Sequence, residues 1–391
     1  MTNETLPAVR ISRKGANRLE SGHPWVFASD VTERTNAAPG DAVRVVDHAG
    51  RIAGTAHYSS TSQICLRLLS RRLEAINRDF YKSRIAAAEE HRRRVVCDTD
   101  AYRVVFGEGD LLPALVIDRY GDYLVMQTLD QGMDRDKGVI AEVLTKLFSP
   151  KGIVERNDVA VRKRESLPLI SGVLVGESPE PVPVRMNGLI FHADLLGGQK
   201  TGVFLDQREN YLAAAQYAGG RALDCFTSTG GFALHMAARC ESVEAVDSSE
   251  AALATARRNS AANGIGNVEF RQANVFDLLG SLRAGGRRFE TIVLDPPAFA
   301  KSRESVEGAA RGYKEINLRA MELLEPGGRL VTCSCSHHMS EAMLLEIVAE
   351  AALDAGVTMR VIERRTQSRD HPILLTVPET HYLKCLILQQ V

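Results

Sequence analysis

Several common features are missing from this sequence of 391 residues. No apolar run approaches the roughly 18 residues that a membrane-spanning helix needs. The chain begins with polar residues rather than with the apolar segment of a secretory signal. Because 45% of the residues are hydrophobic and 25% are charged, the composition is that of a soluble globular protein. We therefore expect a cytoplasmic protein that does not contact membranes.

Zinc-type cysteine spacing is also missing. The seven cysteines include no Cys-x-x-Cys pair and no Cys/His cluster with metal-ligand spacing. The sequence therefore predicts no metal centre and no disulfide framework. The following cysteines are expected to be reduced, buried and inert: Cys65, Cys97, Cys225, Cys240 and Cys385.

Charge is unevenly distributed, although the formal net charge is only -1. Residues 1–94 carry 16 Lys or Arg against 10 Asp or Glu, so this part is basic and the remainder is acidic. A basic segment on a near-neutral protein favours contact with a polyanion. A solvated charged surface explains the same counts equally well.

The pattern along the chain predicts three domains, in keeping with its length. Residues 1–73 contain short strand-like runs between turn residues and are expected to form a small β-barrel. Residues 74–185 mix helical and strand-like runs and are expected to form an α+β domain. Residues 186–391 alternate strands with helices, which predicts an α/β domain with a doubly wound, Rossmann-like parallel sheet. Within these domains we predict helices at 79–95, 134–148, 232–239, 249–262, 313–324 and 340–354.

The loop after the first α/β strand, residues 224–232, indicates which nucleotide is bound. It lacks Gly-x-Gly-x-x-Gly, the dinucleotide motif, and it lacks the Gly-Lys-Ser/Thr of a phosphate-binding loop. Asp247 ends the second strand, where an acidic side chain can accept both hydroxyl groups of a ribose. A ribose site without a pyrophosphate site favours S-adenosylmethionine (SAM) over NAD, although Gly230-Gly231 alone also fits an ordinary strand-to-helix turn.

Two later strands deliver reactive groups to their C-terminal ends. Residues 292–297 contain a buried strand that ends at Asp295 and is followed by Pro296-Pro297. Residues 327–336 form a turn and a strand that carries Cys333 and Cys335 on one face. Ligands of open α/β sheets gather outside such strand ends, and a carboxylate beside a thiol suits covalent catalysis on an electrophilic ring.

These motifs, in this order, resemble those of the class I SAM-dependent methyltransferases. More closely, the chain resembles the bacterial 23S ribosomal RNA cytosine-5 methyltransferases that carry an N-terminal PUA domain. The resemblance covers nearly the whole chain and implies SAM as cofactor, 23S ribosomal RNA as partner and a homodimer. Its segments are 23–27 (HPWVF), 106–113 (FGEGDLLP), 118–122 (DRYGD), 200–210 (KTGVFLDQREN), 225–232 (CFTSTGGF), 295–301 (DPPAFAK) and 312–317 (GYKEIN).

The resemblance also implies roles for individual residues. Asn274 stands where the family usually has an acid, and its carbonyl can accept a hydrogen bond from the adenine amino group. The implied cofactor-binding residues are Asp224, Phe226, Thr229, Gly230, Asp247, Asn274, Asp295, Gln207 and Arg208. The implied substrate-binding residues are Phe299, Lys301 and Tyr313.

The implied chemistry is a cysteine thiolate that adds to C6 of cytosine, with Asp295 beside N3 of the base. Ala298 occupies the place after Pro-Pro where many RNA cytosine-5 methyltransferases have a cysteine. Counting from the Gly-Gly turn assigns the nucleophile to Cys335, whereas a match to a Thr-Cys-Ser triplet favours Cys333, and we prefer Cys335. His337 or His338 is a candidate for removing the C5 proton.

Three alternatives stay open from the sequence. An RNA methyltransferase that acts on guanine N2 needs no thiol and favours an aromatic residue directly after Pro-Pro, where this chain has Ala298. An RNA-binding assembly factor without catalytic activity would not require Asp224, Asp247 and Asp295 together. An NAD oxidoreductase is disfavoured by the missing dinucleotide motif.

Overall fold

The computed structural model describes residues 6–198, 202–299 and 306–391. Contacts between residues divide the chain into two compact units. The first unit comprises residues 1–184, 193–203 and 369–380, and the second comprises residues 185–192, 204–368 and 381–391.

The N-terminal part of the first unit is a six-stranded sheet with the strand order β2-β6-β5-β4-β1-β3. Alternating apolar residues such as Val43 and Val45 turn one face of the sheet into a buried core. Its elements are β1 (Ala8–Ile11), α1 (Arg13–Glu20), β2 (Trp25–Phe27), β3 (Val31–Arg34), β4 (Ala42–Val46), β5 (Ile52–Tyr58) and β6 (Ile64–Ser70).

A five-stranded sheet follows, with the order β11-β10-β9-β8-β7, and helices α2 and α4 pack on its buried face. The helix predicted near 134–148 is two helices, because the chain turns at Asp136 between them. The elements are α2 (Arg78–Val95), β7 (Ala101–Phe106), β8 (Leu115–Tyr120), β9 (Tyr123–Thr128), α3 (Gln131–Arg135), α4 (Lys137–Phe148), β10 (Gly152–Asn157) and β11 (Ile170–Gly176).

A two-stranded sheet, β12 (Val182–Met186) with β13 (Leu189–Ala193), leads toward the second unit. The six-stranded and the five-stranded sheet both belong to the first unit. The predicted domain boundaries at 73 and 185 therefore stay predictions.

The second unit is built around a seven-stranded sheet with the order β16-β15-β14-β17-β18-β20-β19. The first five of these strands are mutually parallel, and β20 pairs antiparallel with both β18 and β19. The elements are α5 (Arg208–Tyr217), β14 (Arg221–Cys225), α6 (Gly231–Met236), β15 (Ser242–Asp247), α7 (Glu250–Ala262), β16 (Val268–Gln272), α8 (Val275–Ala284), β17 (Phe289–Leu294), α9 (Val306–Glu322), β18 (Leu324–Ser334), α10 (Glu341–Asp354), β19 (Met359–Arg365) and β20 (Lys384–Gln390).

Strand order reverses beside β14, whose neighbours are β15 on one side and β17 on the other. At such a reversal the connecting helices leave toward opposite faces, so a crevice opens outside the C-terminal strand ends. One apolar layer packs α8, α9 and α10 against the sheet, and a second layer packs α5 and α6. The predicted doubly wound sheet is therefore confirmed, and its crevice lies where the sequence places Asp224 and Asp295.

Three expectations about this unit and the cysteines need correction. The helix predicted at 313–324 begins by Val306 and ends at Glu322, because β18 starts at Leu324. The helix predicted at 232–239 ends at Met236 and continues only as a 3-10 turn. All seven cysteines are free thiols, but Cys97 is exposed rather than buried.

Within the described ranges, no helix combines the length and the apolar character that a membrane crossing requires. The same ranges contain no group of three or more His, Cys, Asp or Glu side chains arranged to hold a metal ion.

Candidate active site

The loop between β14 and α6 is shaped by residues with unusual backbone angles. Phe226, Ser228 and Gly230 have positive φ angles of 66°, 50° and 90°. Such angles are uncommon for residues other than glycine and cluster at functional sites. A Cβ atom on Gly231 would lie 2.4 Å from the Tyr211 ring, so only glycine allows α6 to begin this close to α5. The loop is therefore held in one tight conformation at the crevice.

Asp224 lies buried beneath this loop. Its Oδ2 accepts hydrogen bonds from the Thr227 hydroxyl at 2.6 Å and from the Ala233 backbone N–H at 3.0 Å. Its Oδ1 is also buried and has no hydrogen-bond partner among the described residues. Burial raises the pKa of Asp224 to about 7, against the effect of the Thr227 and Ala233 hydrogen bonds. A carboxylate with an unsatisfied buried oxygen suits a cationic ligand such as the SAM ammonium group.

Asp247 ends β15 at the edge of the same loop. One of its oxygens accepts the Ser228 backbone N–H at 2.9 Å, and the other accepts the Ser249 backbone N–H at 2.9 Å. Each oxygen keeps a second lone pair, so the carboxylate is oriented and can still accept two hydroxyl groups. This is the geometry expected for a ribose site.

Asn274 has a structural role that the sequence did not indicate. Its side-chain oxygen caps α8 and accepts the backbone N–H groups of Phe276 at 2.9 Å and Asp277 at 3.4 Å. With its carbonyl engaged in the cap, the amide group is better suited to donate to adenine N1 than to accept from the adenine amino group.

Asp295 directly follows β17, next to the end of β14. Its backbone N–H points to the Cys225 carbonyl at 3.4 Å. Its Oδ1 accepts a hydrogen bond from the Gln207 amide at 3.0 Å. The carboxylate is therefore held at the strand reversal by both its backbone and its side chain.

Gln207 belongs to a chain of side-chain hydrogen bonds that starts at Arg365, the last residue of β19. Arg365 donates to the Asn210 side-chain oxygen at 3.0 Å, and Asn210 donates to the Gln207 side-chain oxygen at 2.7 Å. The arginine can only donate, so it fixes the direction of both amides and directs the Gln207 NH2 toward Asp295. The sequence prediction of Gln207 as a cofactor ligand stays a prediction, and in this geometry its amide orients Asp295.

The two thiols of the later strand differ in access. Cys333 is fully buried inside β18, opposite Cys385 of β20, and burial beside that second thiol raises the pKa of Cys333 well above its usual value. Cys335 lies just beyond the last residue of β18 and is partly exposed. Its Sγ lies 4.0 Å from the Pro296 carbonyl oxygen, one residue past Asp295. Cys335 is therefore the accessible thiol at the edge where Asp295 lies, while the Asp295 charge also contributes to the raised pKa of the buried Cys333.

The two aromatic residues predicted to bind substrate, Phe299 and Tyr313, pack against each other close to Cys335. Phe299 is partly buried and packs on Tyr313, with ring centroids 4.8 Å apart. Tyr313 is fully buried, and its hydroxyl lies 3.3 Å from the Ser336 hydroxyl, so it supports the turn after Cys335 and offers no open ring face. Phe299 keeps some exposure and remains a candidate for stacking. Lys301 lies outside the described residues.

Arg208 begins α5 and is almost completely buried. Its guanidinium lies 3.7 Å from the Glu209 carboxylate, and its backbone carbonyl accepts a hydrogen bond from Asn187. Its predicted contact with the cofactor stays a prediction. Thr229 lies in the Gly230 loop, and its carbonyl accepts a hydrogen bond from Asn259 of α7 at 3.0 Å.

Three residues of the site were missed from the sequence, namely Asn210, Arg365 and Lys384. Asn210 and Arg365 are ordinary polar residues 155 positions apart, and nothing local in the sequence links them. Lys384 carried a signal, because a lysine interrupts the otherwise apolar run 383–388. A charged residue in such a run is buried only when the structure supplies partners for it.

Comparison with known proteins agrees with this geometry. A model of the PUA-like domain matches residues 9–71, and a model of the S-adenosylmethionine-dependent methyltransferase family matches residues 156–388. The chain is similar to Ribosomal RNA large subunit methyltransferase I of Shewanella amazonensis, with 44% identity over 97% of this chain and 99% of that protein. The protein of the same name from Klebsiella pneumoniae is 40% identical over 98% of each chain.

A solved methyltransferase structure in complex with SAH superposes on this chain with a TM-score of 0.85. It is 20% identical and covers 98% of this chain and 99% of that one, which shows that the whole fold is shared. The matched SAM-dependent family makes SAM the cofactor, in agreement with the buried Asp224 oxygen and the oriented Asp247 carboxylate. The chain belongs to the family of S-adenosylmethionine-dependent methyltransferases that includes the ribosomal RNA large subunit methyltransferases I.

Proposed function

We propose that this protein methylates C5 of a cytosine in 23S ribosomal RNA and that Cys335 is its nucleophile. The observation that carries the proposal is the position of the Cys335 thiol beyond β18, 4.0 Å from the carbonyl that follows Asp295. The names and the extent of the matched relatives support ribosomal RNA as the substrate. Such a substrate is consistent with a cytoplasmic location.

C5 of cytosine is a poor nucleophile, and this explains why a thiol is needed. Attack of the Cys335 thiolate on C6 would form a carbon–sulfur bond and make C5 electron-rich. Asp295, held by Gln207, would hydrogen-bond the polar edge of the pyrimidine and stabilise the adduct. Bound SAM supplies an electrophilic methyl group for C5. Loss of the C5 proton and release of the thiolate would then restore the aromatic ring and the free enzyme.

In the proposed cofactor site, residues at the C-terminal ends of β14, β15 and β16 each contact a different part of SAM. Asp224 would face the SAM ammonium group, and Asp247 would accept the two ribose hydroxyls. Asn274, together with the N-terminus of α8, would meet the adenine edge. Arg208, Phe226, Thr229 and Gly230 would complete the loop around the cofactor, as the sequence predicts.

The RNA-binding part of the proposal rests on the N-terminal sheet. Its PUA-like domain and its excess of basic residues favour contacts with phosphate groups. A base must leave its stack before it can reach Cys335, so we expect a target in a loop or another unpaired segment. Phe299 would stack on that base, while Lys301 would contact the RNA as the sequence predicts.

The homodimer implied by the resemblance is part of this proposal. Strand β11 is the edge of the five-stranded sheet and exposes apolar side chains, namely Ile170, Val173 and Val175. An exposed apolar edge strand is a surface on which a second copy can pair. Light scattering after size exclusion should give twice the monomer mass for the wild type and a monomer for Val173→Lys.

Methyl transfer from labelled SAM to unmodified, protein-free 23S RNA, followed by nucleoside mass analysis, tests the proposed reaction. We expect 5-methylcytidine as the labelled product. Labelled methylguanosine would contradict the thiol mechanism, because methylation of an exocyclic amine needs no covalent adduct. Absence of transfer to both naked RNA and ribosomal particles would contradict an enzymatic function.

A further inference from the structure

Lys384 is a buried lysine at the first position of β20. It pairs in register with Ser334, the last residue of β18, and only 3% of it is exposed. Burial of an ammonium group is costly unless opposite charge or hydrogen bonds compensate for it. A buried ammonium group at the start of β20 therefore calls for a compensating interaction or a functional role.

The partners of Lys384 are mostly neutral. Its Nζ donates to the Ser336 carbonyl at 2.7 Å and to the Tyr382 carbonyl at 2.8 Å. In the part of the chain that the structure describes, no carboxylate forms an ion pair with it. Two carbonyls solvate an ammonium group but do not neutralise it, and an ammonium group carries three donors. One donor and one positive charge thus remain to be matched.

The Cys335 thiol is the candidate for that match. Ser336, whose carbonyl accepts from Lys384, directly follows Cys335, so the lysine is tied to the turn that carries the thiol. Burial lowers the pKa of Lys384 to about 8, while a negative charge on Cys335 raises it. This coupling is reciprocal, because a thiolate that stabilises an ammonium ion is stabilised by it to the same extent.

We propose that Lys384 is a positioning residue that holds Cys335 as a thiolate and anchors the turn at Ser336. The inference deepens the proposed function and rests on its assignment of Cys335 as the nucleophile. The lysine charge would favour ionisation of a thiol that lies beside the acidic Asp295, where like charges oppose each other.

Other titratable groups near the pair do not replace the lysine. They are neutral or acidic, apart from two histidines on the exposed turn, of which His337 packs against Tyr382. The Tyr382 hydroxyl is hydrogen-bonded to Asp206 at 2.7 Å. The groups from the neighbouring elements are Asp295 after β17, Tyr313 of α9, Cys333 of β18, His337 and His338 after β18, Asp206 before α5, Tyr382 before β20 and Cys385 of β20.

The test measures the reactivity of the thiol itself, without RNA or SAM. The full-length chain is treated with iodoacetamide from pH 6 to pH 10, and peptide mass spectrometry gives the rate at Cys335. Exposed Cys97 is the internal reference. In Lys384→Met, which keeps the length of the side chain but removes its charge, we expect the midpoint of Cys335 alkylation to rise by about one pH unit or more. In Lys384→Arg the charge persists, and the midpoint should return toward the wild-type value.

An unchanged Cys335 midpoint in Lys384→Met would overturn the inference. If that variant does not fold, the reciprocal measurement decides: lysine-labelled Cys335→Ser protein is titrated by NMR. The Lys384 midpoint should be lower than in the wild type, and an equal midpoint would overturn the inference. Because neither experiment uses RNA, a chain that methylates a different nucleoside still shows the shift, so failure of the proposed reaction and failure of this inference are distinguishable.

Discussion

The substitution Asp224→Asn should stabilise the ligand-free protein at neutral pH while it weakens SAM binding. Burial raises the pKa of Asp224 from 3.8 to about 7. Below pH 3.8 both the folded and the unfolded chain hold the proton, so the residue costs nothing. Between these values only the folded chain holds the proton, and stability falls as pH rises. Above about pH 7 both states are ionised and the full cost of burying the charge is present.

The size of this cost follows from the shift. One pKa unit corresponds to about 1.4 kcal/mol, so the ionised Asp224 lowers the free energy of unfolding by at most about 4 kcal/mol at pH 8. Asparagine stays neutral and keeps an oxygen for Thr227 and Ala233. The stability advantage of Asp224→Asn should therefore grow by about 3 kcal/mol between pH 5 and pH 8.

The assay must report on the second unit alone. Fluorescence does not, because Trp25 is the single tryptophan and lies in the first unit. Urea denaturation read by pulse proteolysis, with mass spectrometry of peptides from β14, gives the free energy of unfolding of the correct unit. Calorimetric titration gives the SAM affinity, which should fall by about 10- to 100-fold as a charge-assisted contact is lost.

Asp247→Asn is the charge-matched control, since it removes one negative charge from the neighbouring strand end, where the carboxylate is partly exposed. Stability curves of Asp224→Asn and wild type that run parallel from pH 5 to pH 8 would refute the reasoning. A pH-dependent gain of the same size in both variants would attribute the effect to net charge rather than to burial.

Further predictions concern the reacting edge. Cys335→Ala should lose methyl transfer by at least about 1,000-fold, whereas Cys333→Ala should keep it and lose about 1–3 kcal/mol of stability, as measured by transfer assays and urea denaturation. Gln207→Leu should lower kcat about 10- to 100-fold with little change in SAM affinity, because it releases the Asp295 carboxylate; an unchanged kcat would exclude a role for this chain of hydrogen bonds. Asn274→Asp keeps the helix cap but loses the amide donor to adenine N1, so SAM should bind about 10-fold more weakly in calorimetry, while Asn274→Ala should lose about 1 kcal/mol of stability.

Much of the second unit could be predicted from the sequence, because buried parallel strands have a recognisable pattern of apolar residues. The runs that end at Asp224, Asp247 and Asp295 are short, apolar and followed by turn residues, so both the strands and the reactive ends were recognisable. The sequence predicted Cys335 on the strand of residues 327–336, whereas β18 ends at Ser334 and Cys335 lies just beyond it.

What the sequence did not indicate depends on contacts between distant segments. Arg365 and Gln207 meet through Asn210 only because β19 lies beside the start of α5 in the folded chain. The burial of Tyr313 likewise depends on how α9 packs on β18, and a helical pattern does not say which aromatic residue faces a site. The roles of Asn274 as a cap and Lys384 as a buried cation also became visible only when their partners were in place.

The proposed covalent bond between Cys335 and C6 of cytosine can be detected directly by trapping. RNA carrying 5-fluorocytidine cannot lose the C5 substituent as a proton, so the methylated adduct persists and the protein stays attached. Digestion and peptide mass spectrometry then identify the attached residue. We predict a nucleotide on the peptide that contains Cys335, in the wild type and in Cys333→Ala. An adduct on Cys333, or full methylation of ordinary RNA by Cys335→Ala, would contradict it.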